Sequence, residues 1–406
     1  MEKKCGLLGA TLRHSYSKLI HKNFGDYEYG LYGVSPEEAE EKMRDGSFMG
    51  LNVTIPYKEL AYSVCDERDP AAERAKSVNT VVHRGGKILG YNTDVFGFIG
   101  MVRRAGIELC GKKVLILGSG GTSKTAHAAA QELRAEKILT VSRSGKLNYE
   151  NVYEEDDAQV IINTTPVGMY PKNGAVPIDI SRFPKLEGVV DVIYNPAKTK
   201  LLFDAERLGI RHTNGLYMLA AQGFRAAEIF LGHELPPELI EKAERDVRAE
   251  TMNIVLIGMP GSGKSEIGKR LSERLSRALI DTDAEIEKNF AKPAEIIENK
   301  GEDVFRGTES ETARRVGAES GKIISTGGGI VLREENLESL SQNGKIYLIE
   351  RDLGLLEVSG RPLSRDVGAL YEARRDKYLK FADVRIDNNG DIDDAVGEIV
   401  RDFFGK

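Results

Sequence analysis

The sequence predicts an α/β protein carrying two nucleotide-binding domains, each built on a parallel sheet. Three observations lead there. Short apolar runs alternate with helical patterns almost throughout, as βαβ units require. Two of these runs, "VLILG" and "IVLIG", open directly into glycine loops that precede helical patterns. The charged stretch "ELPPELIEKAERDVRAE" separates the two sets, with no Gly/Ser tether.

The bulk properties narrow the class. A chain of 406 residues suits two or three domains. Charged residues make up 30% and the net charge is −6, with no long run of like charge, so nucleic acid is not an expected partner. The cysteines, Cys5, Cys65 and Cys110, are scattered and fit neither a disulfide framework nor a metal site. The six histidines form no H-x-x-x-H pair. The N-terminus lacks an apolar stretch of signal-peptide length, and no apolar run is long enough to cross a bilayer. The expectation is a soluble, cytoplasmic protein acting on small molecules. The oligomeric state is not legible.

In the earlier half, "TLRHSYSKLIHKNF" places Ser15 and Ser17 two apart, so both hydroxyls can face one anion. "LNVTIPYKE" brings Asn52, Thr54 and Lys58. "SVNT" and "GYNTDVFGF" bring Asn79, Thr80, Asn92, Thr93 and Asp94. Singly, Lys58 also suits a surface lysine, and Asp94 the N-cap of the helix that follows. Strands are expected at 114–118, 137–142, 158–165 and 188–194, with a helix near "TKLLFDAERLG". Gly118, Gly120 and Gly121 lie between the first of these strands and its helix; Ser123 occupies the third glycine position of a dinucleotide fingerprint. The next strand ends in "TVSRSGK", where an NAD site wants a carboxylate. Ser142, Arg143 and Lys146 instead suit the 2′-phosphate of NADP, or else a solvated basic turn.

In the later half, a helix starts at Pro236 and Pro237 and runs to about Glu250. A linker of two or three residues then leads to a strand at Met252 or Asn253. "GMPGSGKS" fits a phosphate loop, with Gly258, Gly261, Ser262, Gly263, Lys264 and Ser265. Its backbone N–H groups curl around phosphates, Lys264 reaches the β- and γ-phosphates of ATP, and the Ser265 hydroxyl can ligate Mg²⁺. In "ALIDTD", Asp281 and Asp283 are expected on one side of an extended segment. One can serve Mg²⁺ and the other can take a proton from an attacking hydroxyl; alternatively Thr282 or Asp283 caps the next helix. "EDVFRGTESE" adds Arg306 and Glu309, and "STGGG" adds Gly327, Gly328 and Gly329, where substrate can approach backbone closely. "SGRPLSRDVGALYEARRDKY" supplies Arg361, Arg374 and Arg375.

The phosphate loop, the Asp-Thr-Asp segment, Phe305-Arg306 with Glu309, the triple glycine and the Arg-Pro-Leu motif, taken in order, resemble shikimate kinase over about 252–406. The resemblance implies that Asp281 serves Mg²⁺ and Asp283 orients the nucleophile. It also implies that Arg306 and Arg374 hold the shikimate carboxylate and that Arg361 closes on the phosphates. Two departures stand out: a short stretch between Arg361 and Arg374, and Ile297 where a phenylalanine is usual.

"NVTIPYK", "NTD", "NTTPVGM" and the Gln222 segment resemble shikimate dehydrogenase from about residue 5 to 248. That resemblance implies NADPH-dependent reduction of 3-dehydroshikimate. Lys58 and Asp94 would be the catalytic pair, with Ser15 and Ser17 on the carboxylate. Thr54, Asn79, Asn92 and Gln222 would hold ring hydroxyls, Tyr194 would line the site, and Met218 would meet NADP. "SYSK" departs from the family's Ser-x-Ser-Pro. The implied architecture has a substrate lobe of 1–97 plus 223–250, a Rossmann-like NADP lobe of 98–222, and a kinase domain of 252–406. Such a chain would catalyse two consecutive steps, to shikimate and then to shikimate 3-phosphate. The alternatives are a kinase-like half that binds without turnover, a dehydrogenase acting on quinate with NAD, and a kinase for another sugar acid.

Overall fold

The computed structural model describes residues 4–12, 15–356 and 367–405. The chain divides into two compact units, Met1–Asn195 with Thr199–Val247, and Pro196–Lys198 with Arg248–Lys406.

The first unit holds two sheets. One is mixed: β1 (Lys4–Gly9), β2 (Glu28–Gly33), β3 (Gly50–Val53), β4 (Glu67–Arg68), β5 (Thr80–Arg84) and β6 (Lys87–Tyr91), in the order β2-β1-β3-β5-β6-β4. β1 runs parallel to β2 and β3, whereas β5 is antiparallel to both β3 and β6. The hairpin between β5 and β6 turns on Gly85 and Gly86, at φ 59° and 76°. Two consecutive positive φ angles give the tight turn that matches strand twist, and glycine adopts them without strain.

The other sheet comprises β7 (Lys113–Leu117), β8 (Lys137–Val141), β9 (Val160–Asn163), β10 (Gly188–Asp191) and β11 (Arg211–Thr213), in the order β11-β10-β9-β7-β8. All its pairings are parallel. Helices cover both faces of such a sheet, which is why Val114 to Leu117 is one apolar run with every side chain buried. Strand order reverses at β7, where β8 lies on one side and β9 on the other. That reversal opens a crevice at the carboxyl ends of the strands. The expected lobe boundaries, 97/98 and 222/223, fall inside the helices Thr93–Arg104 and Leu216–Leu231. These helices pack so closely that a Cβ on Gly97 would lie 2.6 Å from the Met218 carbonyl oxygen.

The helix Glu238–Thr251 begins one residue after the two prolines, and Met252 alone separates it from the next strand, fewer residues than the expected linker. The second unit's sheet comprises β12 (Asn253–Ile257), β13 (Leu279–Asp281), β14 (Ile323–Ser325), β15 (Gly344–Glu350) and β16 (Val384–Asp387), in the order β13-β14-β12-β15-β16. It too is parallel throughout, with β12 central and entirely buried. No helix among the described residues is long and apolar enough to cross a membrane.

Candidate active sites

The first unit contains a cavity of about 420 Å³. Two helix starts meet at its wall. The helix Lys58–Val64 begins at Lys58, and the helix Thr93–Arg104 holds Asp94 in its first turn. Lys58 Nζ donates to Asp94 Oδ2 at 2.6 Å. The two side chains are only 25% and 12% exposed, so this is a partly desolvated pair whose ammonium reaches the cavity. Asp94 is not the helix cap. Asn92 is, with its Oδ1 accepting from the Val95 amide at 3.2 Å. A carboxylate in a first helical turn is favoured by the helix dipole.

The cavity brings together most of the expected ligands. Ser15 and Ser17 line it side by side, the Ser17 amide donating to Ser15 Oγ at 3.2 Å. Thr54, Tyr194, Met218 and Gln222 line it as well. Asn79 faces it but is already engaged: its Oδ1 accepts from the Thr93 amide at 2.8 Å, and its Nδ2 donates to Thr93 Oγ1 at 3.0 Å. Asn92 requires a correction. It is buried, its Oδ1 caps the helix and its Nδ2 donates to the Ser77 carbonyl at 2.9 Å, so it supports Asp94 rather than meeting a ligand.

Gly118, at φ 107°, ends β7 at the strand-order reversal. A Cβ on Gly120 or Gly121 would meet nothing within 4 Å, so open space lies above the loop. Gly120 caps the helix Gly121–Glu132 without a side-chain hydrogen bond, which leaves backbone N–H groups for an anion. Ser123 is buried in that helix. Arg143 and Lys146 lie exposed on the turn after β8, with Ser142 at its base. The Ser142 amide bonds the Leu147 carbonyl at 3.1 Å, and the turn contains no acidic residue. A 2′-phosphate fits these cations, and the open glycine loop fits a pyrophosphate.

The second unit's phosphate loop follows β12. Gly258, Gly261 and Gly263 have φ of 146°, 81° and 96°. Lys264 Nζ donates to the carbonyls of Gly258 and Met259 at 2.9 and 2.8 Å, folded back over its own loop. Ser262 is buried, and its carbonyl accepts from Asn388 Nδ2 at 2.8 Å. Ser265 Oγ lies 3.3 Å from Asp281 Oδ2. This hydroxyl–carboxylate pair beside the phosphate loop fits Mg²⁺. The described residues contain no cluster of three or more His, Cys, Asp or Glu able to hold a metal alone, so phosphates and water would supply the remaining ligands.

The Asp-Thr-Asp segment corrects another expectation. β13 ends at Asp281, and the helix Thr282–Asn289 starts at once. Asp281 itself is the N-cap, accepting from the amides of Asp283 and Ala284 at 3.0 and 3.2 Å. Asp283 therefore stands in a helical first turn, not in extended chain beside Asp281. It lines a second cavity, of about 410 Å³, together with Arg306, Arg374 and the glycines 327–329.

Arg306 is 8% exposed and paired with Glu309, and it also reaches Glu302 at 2.9 Å. Burial pushes the Glu309 carboxyl above its usual range, while Arg306 pulls the other way. Arg374 donates to the Gly328 carbonyl at 2.9 Å. A Cβ on Gly329 would fall 2.0 Å from an Arg306 nitrogen, so that approach requires glycine. Arg361 lies outside the described residues.

Two family models match the chain. The shikimate dehydrogenase substrate binding domain matches residues 7–81, and shikimate kinase matches residues 260–403. A shikimate dehydrogenase (NADP(+)) of Clostridium perfringens (strain 13 / Type A) is 34% identical over 270 residues, covering 61% of this chain and 98% of that protein. The chain belongs to the shikimate dehydrogenase family. Its second unit carries a shikimate kinase domain, so it joins two enzymes of the shikimate pathway. A chorismate mutase/shikimate 5-dehydrogenase fusion from Clostridium acetobutylicum is similar at TM-score 0.58 and 31% identity, covering 61% of this chain and 97% of that one. Shikimate 5-dehydrogenase from Thermus thermophilus, in complex with NADP(H) and shikimate, gives TM-score 0.54 and 28% identity, over 60% of this chain and 98% of that one.

Sequence reasoning left several cavity residues unassigned. In the dehydrogenase unit they include Asn52, Val192 and Gly215. Asn52 had a signal, sitting in β3 two residues before Thr54 in the same short motif. In the kinase domain, Ala294 and Glu298 on the helix Pro293–Lys300 line the cavity beside Ile297. That helix carries no local chemical signature.

Proposed function

We propose that the first unit reduces 3-dehydroshikimate to shikimate with NADPH, and that the second transfers a phosphoryl group from ATP to the shikimate 3-hydroxyl. The pair of Lys58 and Asp94, 2.6 Å apart at the wall of the first unit's cavity, carries the first half of this reading. NADPH, when bound on the glycine loop, supplies the hydride. Lys58 holds its ammonium where alkoxide charge develops on the carbonyl oxygen and delivers a proton there. Asp94 keeps that ammonium in place and accepts a hydrogen bond from a neighbouring ring hydroxyl. Ser15 and Ser17 bind the carboxylate; Thr54, Asn79 and Gln222 read the hydroxyls; Tyr194 closes the wall.

The charged groups of the second cavity carry the other half, with Arg306, Arg374 and the helix-borne Asp283 around one space. Arg306 and Arg374 bind the substrate carboxylate. Asp283 orients the 3-hydroxyl and takes its proton. Lys264 exchanges two loop carbonyls for phosphate oxygens, a swap that needs only rotation of its side chain. Ser265 and Asp281 would hold Mg²⁺, which would supply neutralising charge for the phosphates.

Purified protein should oxidise NADPH only when 3-dehydroshikimate is added, and should form ADP only when shikimate is added. Shikimate-independent ADP formation at the same rate would rule out the kinase half of the reading.

A further inference from the structure

A buried carboxylate outside both cavities ties the two walls of the reduction site together. Asp191, the last residue of β10, has no exposed surface. Its Oδ1 accepts from Asn163 Nδ2 and from the Ile193 amide, each at 3.1 Å. Its Oδ2 accepts from Thr199 Oγ1 at 2.7 Å. Burial raises the pKa of the Asp191 carboxyl to about 6, and these three donors pull the other way.

Two of these donors belong to segments that shape the site, and Thr199 caps the helix Lys200–Arg207. Asn163 lies opposite Asp191 in the sheet. Its Oδ1 accepts from the Thr165 amide and hydroxyl at 3.0 and 2.7 Å, fixing the turn after β9. Thr164 in that turn donates to the Leu117 carbonyl at 2.6 Å. A Cβ on Gly118 would come within 2.8 Å of Thr164 Oγ1, so this turn buttresses the glycine loop. On the other side, Ile193 stands between Val192 and Tyr194, both of which line the substrate cavity. The Ile193 carbonyl accepts from the Gly215 amide at 3.1 Å, and Gly215 lines the cavity too.

We propose that Asp191 is a positioning residue of the reductase: it sets the spacing between the cofactor's glycine loop and the substrate wall by holding Asn163 on one side and Ile193 on the other. The proposal rests on the reading of the first unit as an NADPH-dependent reductase.

The test is steady-state kinetics on the full chain. Asp191→Ala should raise KM for both NADPH and 3-dehydroshikimate by about tenfold or more, with a smaller change in kcat. Asp191→Asn should recover most of the loss, since its amide oxygen still accepts from two donors. Asn163→Ala should shift mainly the KM for NADPH, and Thr199→Val, which removes the one donor to Asp191 Oδ2, should raise both KM values. Those two variants leave Asp191 two of its three donors and carry the test if Asp191→Ala does not fold. Shikimate-dependent ADP formation by the same samples should stay at the wild-type level. The proposal is overturned if Asp191→Ala changes melting temperature but neither KM, or if Asn163→Ala and Thr199→Val move neither KM. A wild-type protein that does not oxidise NADPH with 3-dehydroshikimate would overturn the functional reading itself, and this inference with it.

Discussion

Replacing Lys58 by methionine keeps the length of the side chain and removes its charge. The ammonium lies 2.6 Å from Asp94 and is largely shielded, with 25% of the side chain exposed. A developing alkoxide at about 4 Å, in surroundings of effective dielectric about 20, gains about 4 kcal/mol from such a charge. That is about three orders of magnitude in rate. Lys58→Met should therefore lower kcat/KM for 3-dehydroshikimate reduction about 10³-fold. NADPH binding should hold, because the glycine loop and the Arg143 turn are untouched. Asp94→Asn leaves the charge but loosens its placement, so its loss should be smaller. The assay is NADPH oxidation at saturating cofactor, with kinase turnover of the same sample confirming active protein. A Lys58→Met rate within tenfold of wild type would refute the role given to the ammonium.

Other consequences can be checked separately. Gly263 has φ 96°, and a Cβ there would fall 2.4 Å from Asn388 Nδ2. Gly263→Ala adds about 1–2 kcal/mol of backbone strain even before the asparagine moves, so phosphoryl transfer should fall at least about tenfold, with reduction unchanged. Arg143→Ala should raise KM for NADPH about 10- to 100-fold, the value of a charge-assisted hydrogen bond, and leave KM for NADH alone; equal effects on both cofactors would remove Arg143 from the 2′-phosphate. His21 is buried against Tyr29, with ring centroids 4.0 Å apart, and burial lowers its pKa from 6.5 to about 3. The unfolded chain therefore takes up this proton first, and stability is lost as pH falls below 6.5 towards 3, by about 1.4 kcal/mol per unit. Thermal melts of the first unit should weaken more steeply from about pH 7 to 5 in wild type than in His21→Phe; parallel slopes would exclude His21 as the cause.

The motifs named residues that the structure gathers around two cavities, but the geometry of those cavities was legible only in part. Lys58 and Asp94 were both named from short motifs. Their contact, between residues 36 apart in sequence, depends on how β3, β5 and β6 bring two helix starts together. No local pattern encodes that. The extended reading of Asp281 and Asp283 failed because a short-range hydrogen bond intervened: the Asp281 side chain caps the next helix and ends the strand. Asn92 failed for the same kind of reason, since capping and a backbone carbonyl take up both ends of its amide. Val192 and Gly215 enter the cavity through backbone turns whose shape depends on a buried neighbour. Gly118, Gly258, Gly261 and Gly263 were the most readable positions, because positive φ leaves glycine little competition.

The central claim is that one chain reduces a ring ketone and then phosphorylates the product. Purified protein incubated with 3-dehydroshikimate, NADPH, ATP and Mg²⁺, and followed by mass spectrometry over time, tests it most directly. The account predicts that shikimate 3-phosphate forms, and that shikimate accumulates instead when ATP is omitted. Accumulation of shikimate with ATP present and no phosphorylated product would contradict it.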